Sequence, residues 1–473
     1  MSVTHLRRVA FVLLLGSVIT VQAQSPSRTY AITDVLLMDG REAQTLANAT
    51  VVVEDGVITA AGNVPIPDGI PVLPAPGLTL MPGFVDLHIH LDLIGHGDYD
   101  RFYTFIGGTE RLNEVMPIAA KQMLRAGVTT AVDLGSPFDI LAVRERIREG
   151  EVPGPRLIVS GPWITRIKLD GVPDSYQVVV NSPGEARAAT NRLIDSGSDV
   201  IKTWLGLTRE DLIAVVDAAH QRGVKVHSHL YKPEAIEDAL AAGVDVLQHV
   251  GSAREAPYSD DLIQRIATKR VPVVQTISHR IWVYPYTEAF PGRLRHPSLK
   301  ADMPPDIYAE VVDSTRDFRH LGYFRDIGDE TRNAALSASQ FINTNAYMGV
   351  GTDAASPMNF HYEAMWHELR ALVEVGMTPR QALSAATKTG AQILGLYDQI
   401  GTIEPGKQAD MILLDGNPLM DIDATRQVVA TIKGGTIWYD QRRTIEGLEE
   451  LGRAYANEGL ANRQMLKAIA PMQ

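Results

Sequence analysis

The sequence predicts an α/β protein: a parallel (β/α)8 barrel with a small discontinuous β-sandwich domain formed by both ends of the chain. Three observations lead there. The central region alternates short apolar strand patterns with helical ones, as parallel βα units do. Eight apolar strand segments can be counted in it, ending near His90, Leu134, Ser160, Thr203, His229, His249, Ile277 and Asp353. The two flanks share another style, short strands broken by turn residues, and are read together as one β unit.

The elements follow in chain order. Residues 1–23 read as an export signal: Arg7 and Arg8, a short apolar run over 9–21, then Val21-Gln22-Ala23 as a small-residue cleavage site. The run is too short for a comfortable membrane span. The expected location is therefore periplasmic or secreted, with no membrane contact once the signal is removed. Residues 24–80 supply the first part of the β-sandwich, with Asp39-Gly40 and Asp55-Gly56 as hairpin-type turns. Pro65, Pro67, Pro71, Pro74 and Pro76 read as a linker into a new domain. The barrel is expected over 81–396, with helices near 110–126, 183–196, 209–222 and 233–242. An insertion over 284–332, with an amphipathic stretch at 306–327, is either a lid or a surface or dimer contact. Residues 397–445 complete the β-sandwich, and 446–473 read as a helical tail.

Composition narrows the function classes. A chain of 473 residues suits one large domain plus a smaller one. A hydrophobic share of 45% and a charged share of 21% are ordinary for a soluble protein. A net charge of -12, without a Lys/Arg-rich run, argues against nucleic acid as a partner. The absence of cysteine excludes disulfides and Cys-ligated zinc. A homo-oligomer stays open.

The chemistry is concentrated at strand ends. His88 and His90 lie in PGFVDLHIHLD (82–92), and alternate residues of a strand share a face, so both imidazoles point the same way. Two imidazoles at the end of a buried strand suit a divalent transition metal; the alternative is a pair of core histidines bonded to backbone. Barrel enzymes carry their chemistry at the C-terminal strand ends. There the sequence offers His88 and His90, then Lys202, His229, His249 and Asp353. Four His, one Lys and one Asp converge without any forced arrangement.

With these residues in view, the chain resembles the amidohydrolase superfamily. The resemblance rests on MPGFVDLHIHLD, on GTDAASP (351–357) and on the closing GTIEPGKQADMILLD. VHSHLYKPEAIEDALAAGVDVLQH (226–249) is most similar to the prolidase-like and imidazolonepropionase-like branch. The resemblance implies two divalent metal ions. His88 and His90 would hold one with Asp353, His229 and His249 would hold the other, and a carboxylated Lys202 would bridge them. Zinc suits this donor set, and Mn, Co or Fe fit the same residues. The metals would generate hydroxide from water, and Asp353 would carry the proton from that water to the leaving amine. Tyr231, two residues past His229, and His279, after the seventh strand, are candidate substrate contacts; packing is the alternative for each. Arg166 and Lys168 read as solvated charges or as partners of a substrate carboxylate.

The expected activity is hydrolysis of an amide C–N bond next to a carboxylate in a small-molecule substrate, an X-Pro dipeptide or an N-acyl amino acid. Cyclic amides, lactones and organophosphate esters are the alternative, since the same site would activate water for them. Ring deamination is disfavoured, because Leu230, Tyr231 and Lys232 follow His229 where mononuclear deaminases of the superfamily carry His-x-x-Glu. A non-catalytic scaffold is disfavoured too, because the full ligand set is retained.

Overall fold

A computed structural model describes residues 28–41, 45–251, 257–321 and 327–440. The expected export signal and helical tail lie outside the described residues. The early strands are β1 (Tyr30–Leu37), β2 (Leu46–Glu54), β3 (Val57–Gly62), β4 (Val72–Pro74) and β5 (Leu78–Pro82). The middle of the chain forms β6 (Phe84–Ile89), β7 (Val128–Asp133), β8 (Arg156–Val159), β9 (Trp163–Thr165) and β10 (Gln177–Val179). It continues with β11 (Val200–Thr203), β12 (Lys225–His229), β13 (Val246–Gln248), β14 (Val273–Val274) and β15 (Met348–Gly349). The last strands are β16 (Met411–Asp415), β17 (Val428–Lys433) and β18 (Thr436–Asp440).

The first and last described strands meet in one eight-stranded sheet, ordered β18-β17-β16-β5-β1-β2-β3 with β4 on β1. β5 is the seam: it runs parallel to β1 and antiparallel to β16, with Leu80 opposite Leu413. Ile32, Val51, Val53, Leu80, Met411, Leu413 and Ile432 bury a shared apolar face there. Asp55 and Gly56, both in the left-handed region, make the expected tight turn between β2 and β3. The Pro-rich segment is not a free linker, because β4 lies inside it and pairs in parallel with β1. β5 extends to Pro82, past the boundary expected at residue 80.

The middle strands form two parallel sheets, β6-β7-β8 and β10-β9-β11-β12-β13-β14-β15. Backbone hydrogen bonds link them at both edges. Asp199 N donates to Val159 O at 2.8 Å, and Leu87 N donates to Val350 O at 2.8 Å. Helices alternate with these strands, among them Leu112–Arg125, Pro183–Asp195, Arg209–His220 and Pro233–Ala242. Their ends are coded locally. Ser182 caps Pro183–Asp195 with proline in the first turn, and Thr208 and Asp211 form a capping box on Arg209–His220. Val85, Leu87, Val132, Val200, Val246 and Val274 gather into one apolar cluster beneath the level of His88.

The structure departs from expectation where short-range pattern is weak. The seventh and eighth strands stop at Val274 and Gly349 instead of reaching Ile277 and Asp353, and Thr276 and Asp353 take left-handed conformations beyond them. β9 and β10, absent from the expected set, extend one parallel sheet. The amphipathic stretch expected over 306–327 is a helix over Pro305–Ser314 followed by a turn at Phe318–His320. Helix Ile327–Asn343 begins inside the range assigned to the insertion.

Gly351 is sterically required at the junction of the two sheets. A Cβ there would lie 2.5 Å from Val274 Cγ1 and 2.8 Å from His88 Cβ. Gly351→Ala is expected to cost about 1–3 kcal/mol by overpacking and to lower the thermal midpoint, measured by calorimetry. An unchanged midpoint would mean that the junction is slack.

Candidate metal centre

His88 and His90 project from the end of β6 onto the carboxylate of Asp353. Nε2 of His90 lies 3.2 Å, and Nε2 of His88 3.7 Å, from Asp353 Oδ1. These three residues each present one ligand atom within 4.8 Å of the others, a group able to hold a metal ion. His229 ends β12 and His249 follows β13. Their ring centroids are 4.5 Å apart, and His249 is 4.3 Å from His88. Both His249 and Asp353 are held at positive φ, a conformation costly outside glycine and one that tends to mark functional sites. Lys202, on β11, is completely buried, and its Nζ has no hydrogen-bond partner.

The electrostatics favour metal ligation. Burial first, and the nearby charge of Lys202 second, hold His88 and His229 well below the usual imidazole range. Burial and the neighbouring His88 and His229 do the same to His249. Ligation needs neutral imidazole, so these rings are ready for it. Burial alone would raise Asp353, but the hydrogen bond from His90 holds it below the usual carboxylate range. The same bond raises His90 against the pull of burial, so of the cluster's imidazoles this one keeps a share of charge until a cation displaces its proton. Burial pulls Lys202 down to about 7, so a large neutral amine fraction exists near neutrality.

The outer contacts fix the rings. His88 Nδ1 meets Gln248 Oε1 at 2.8 Å, while Gln248 Nε2 reaches His227 Nδ1 at 3.0 Å. His249 Nδ1 meets Thr276 Oγ1 at 2.8 Å. Each bond leaves Nε2 as the free nitrogen, the usual outer support of a metal-bound histidine. Nε2 of His88 and Nδ1 of His229 are buried with no hydrogen-bond partner. Buried polar atoms of this kind call for an explanation, and a metal ion supplies one. The donor set fits the group. Asp86 ties the frame together, accepting from the backbone N of His88 and from both N and Oγ1 of Thr352. Glu368, from helix Ala364–Glu374, accepts from Ile277 N at 3.0 Å and Ser278 N at 2.7 Å, fixing the backbone that enters His279.

The other sequence candidates separate. Tyr231 sits 4.6 Å, centroid to centroid, from His229. His279 Nε2 is 3.9 Å from Asp353 Oδ2, and burial pulls this ring down to about 3. Both border the centre. Arg166 is bound to Asp211 at 2.5 and 3.0 Å, and Lys168 to Asp174 at 2.6 Å. Trp204, just past β11, stacks on His229 at 4.8 Å and 14°. The supports Asp86, Gln248 and Glu368 had no sequence signal of their own, since each acts through a partner far along the chain. Arg280 was overlooked, although it directly follows His279.

A parallel α/β frame with a partly buried His/Asp cluster at its strand ends is the arrangement of a class of metal-assisted hydrolases. The chain matches the amidohydrolase family over residues 79–438 and belongs to it. It is a hydrolase acting on C–N bonds. It is 24% identical over 460 residues to an ochratoxinase from Aspergillus niger, covering 85% of each chain. It is 24% identical over 436 residues to an imidazolonepropionase from Porphyromonas gingivalis, covering 83% of this chain and 89% of that one. The solved structure of a putative prolidase from Bifidobacterium longum superposes with a TM-score of 0.67 at 26% identity, covering 90% of this chain and 99% of that one.

The Lys202 environment has a measurable signature in metal-free protein. With its folded pKa near 7 and an unfolded value of 10.5, the unfolded chain binds more protons between those limits. Stability should therefore rise as pH is raised from 7 towards 10. Lys202→Met should be more stable than wild type at pH 7 and should lack that rise, read from denaturant midpoints. Identical pH profiles for the two proteins would show that Lys202 is solvated.

Proposed function

We propose that the two parallel sheets close into a (β/α)8 barrel holding two divalent metal ions, most suitably zinc, and that the enzyme hydrolyses an amide bond next to a carboxylate. X-Pro dipeptides and N-acyl amino acids are the substrate classes. The observation that carries the reading is the buried, unpartnered Nζ of Lys202 beside a cluster of neutral histidines. A buried amine in its neutral form can add CO2 and release a proton, giving a carbamate whose two oxygens can bridge two cations. In this arrangement His88, His90 and Asp353 would hold one ion, His229 and His249 would hold the other, and a carboxylated Lys202 would serve both. Bound there, the ions supply a polarised water at neutral pH and an electrophile for the scissile carbonyl.

The chain's own groups do the rest. Asp353, kept ionised by its histidine neighbours, accepts the water's proton on a carboxylate oxygen and delivers it to the leaving nitrogen. Tyr231 and His279 border the place where the substrate carbonyl would lie. Neutral His279 can accept a hydrogen bond from a cation beside it without adding a charge of its own. Trp204, stacked on His229, covers that ring from water. An export address, if the first residues act as a signal, would fit scavenging of short peptides or acylated amino acids.

The test is a screen of metal-loaded protein, in bicarbonate buffer, against X-Pro dipeptides, other dipeptides and N-acyl amino acids, read as amino acid released. Asp353→Asn should lose at least about 100-fold in kcat while keeping its circular dichroism spectrum. Full wild-type activity in that variant would remove Asp353 from the mechanism. Silence of the wild type across the library, with metal bound, would overturn the carboxylate-adjacent reading. Gln248→Leu should weaken metal binding about 10–100-fold in a chelator competition, since His88 loses the contact that orients it.

A further inference from the structure

Arg280 is a buried cation at the edge of the metal centre that no step above uses. It is 9% exposed. A guanidinium stays protonated at any physiological pH, so its burial needs compensation. Among the described residues the compensation is incomplete. The carboxylate of Glu330 approaches Nε at 3.3 Å, yet Nε makes no directed hydrogen bond. On another edge the guanidinium meets Nε2 of His279, which burial keeps neutral. The hydroxyl of Tyr231 lies against it as well. The positive charge is felt at His229, at His249 and at Asp353, so the group faces the centre.

Its position is enforced. Arg280 sits in the π-helical turn His279–Val283, a distortion often found at functional sites. The turn is fixed on one side by Glu368, which binds the amides of Ile277 and Ser278, and on the other by Thr331 Oγ1, which donates to Arg280 O at 2.8 Å. The other two cations considered for a substrate anion, Arg166 and Lys168, are engaged by Asp211 and Asp174.

We propose that Arg280 is the specificity-determining residue that binds the free carboxylate of the substrate, with Tyr231 beside it. This rests on the reading of the enzyme as a hydrolase of carboxylate-adjacent amides, and it names the group that makes the carboxylate obligatory. A planar guanidinium matches a carboxylate edge-on and is worth most where water is excluded. The bound anion completes the compensation that Glu330 begins. A neutral analogue leaves the cation as it stands in the free protein and gains nothing from it.

The experiment measures binding and does not depend on turnover. Metal-loaded wild type, Arg280→Met, Arg280→Lys and Glu330→Gln are titrated calorimetrically with a panel of free L-amino acids and the corresponding L-amino acid amides, the product side of the reaction. The wild type is expected to bind at least one acid more tightly than its amide. In Arg280→Met that preference should fall about 30-fold, with the amide bound as before. Arg280→Lys should recover part of it, and Glu330→Gln should strengthen acid binding by removing the competing carboxylate. Equal weakening of acid and amide in Arg280→Met would assign Arg280 to holding the 327–343 helix and overturn the proposal, as would a wild type that binds no acid better than its amide. If the acid preference holds and tracks Arg280 while no carboxylate-adjacent amide is cleaved, the activity reading fails and the anion site stands.

Discussion

The contact on which everything else depends is the backbone pairing between β6 and the segment that follows β15. Asp353 N donates to His88 O at 2.8 Å, one register step beyond the bond from Leu87 N to Val350 O. The pairing joins the two parallel sheets and, in the same act, lays a carboxylate over two imidazoles. Asp86 reinforces it by accepting from His88 and Thr352, residues on the two sides of the join. Because the ligating groups ride on the hydrogen bonds that hold the fold, the centre cannot drift without opening the frame. Gly351 belongs to the same constraint, since only a residue without Cβ lets the backbone pass between Val274 and His88.

Polarity is layered around that join. Beneath it lie Val85, Leu87, Val132, Val200, Val246 and Val274, which exclude water from below. At the join burial strips His88 of its charged form, whereas His90, against the pull of burial, is raised by its hydrogen bond to Asp353, and the same bond helps Asp353 keep its charge. Above it Arg280, Tyr231, His279 and Trp204 form a rim of one cation and three rings. Under the proposed function, such a gradient would let a single pocket hold a metal and select a substrate.

Much of this was legible because strands are periodic. His88 and His90 must share a face, and a Lys or a His that ends an apolar strand must sit near the same rim, so the positions of Lys202, His229 and His249 followed from pattern alone. The short strands β14 and β15 were legible as segments but not in length, because the chain leaves the sheet through left-handed residues that carry no composition signal. The supports were not legible. Gln248 earns its place from His88, 160 residues away, and Glu368 from amides about 90 residues away. The β4 segment looked like a linker because proline is rare in strands, yet at the margin of a sheet it is tolerated.

The seam at β5 carries a further consequence, for the order of events during synthesis. β5 pairs with β1 almost as soon as it is made, but its other neighbour, β16, begins at Met411. Until then one edge of Leu78–Pro82, with buried Leu80, offers unpaired amides and an apolar face to any passing strand, a recognised route to misassembly. Closure of this sheet brings together segments some 330 residues apart, and contacts so distant in sequence are slow to find. Completion of this sheet therefore waits for β16, by which point every residue of the candidate metal centre, up to Asp353, has already been made.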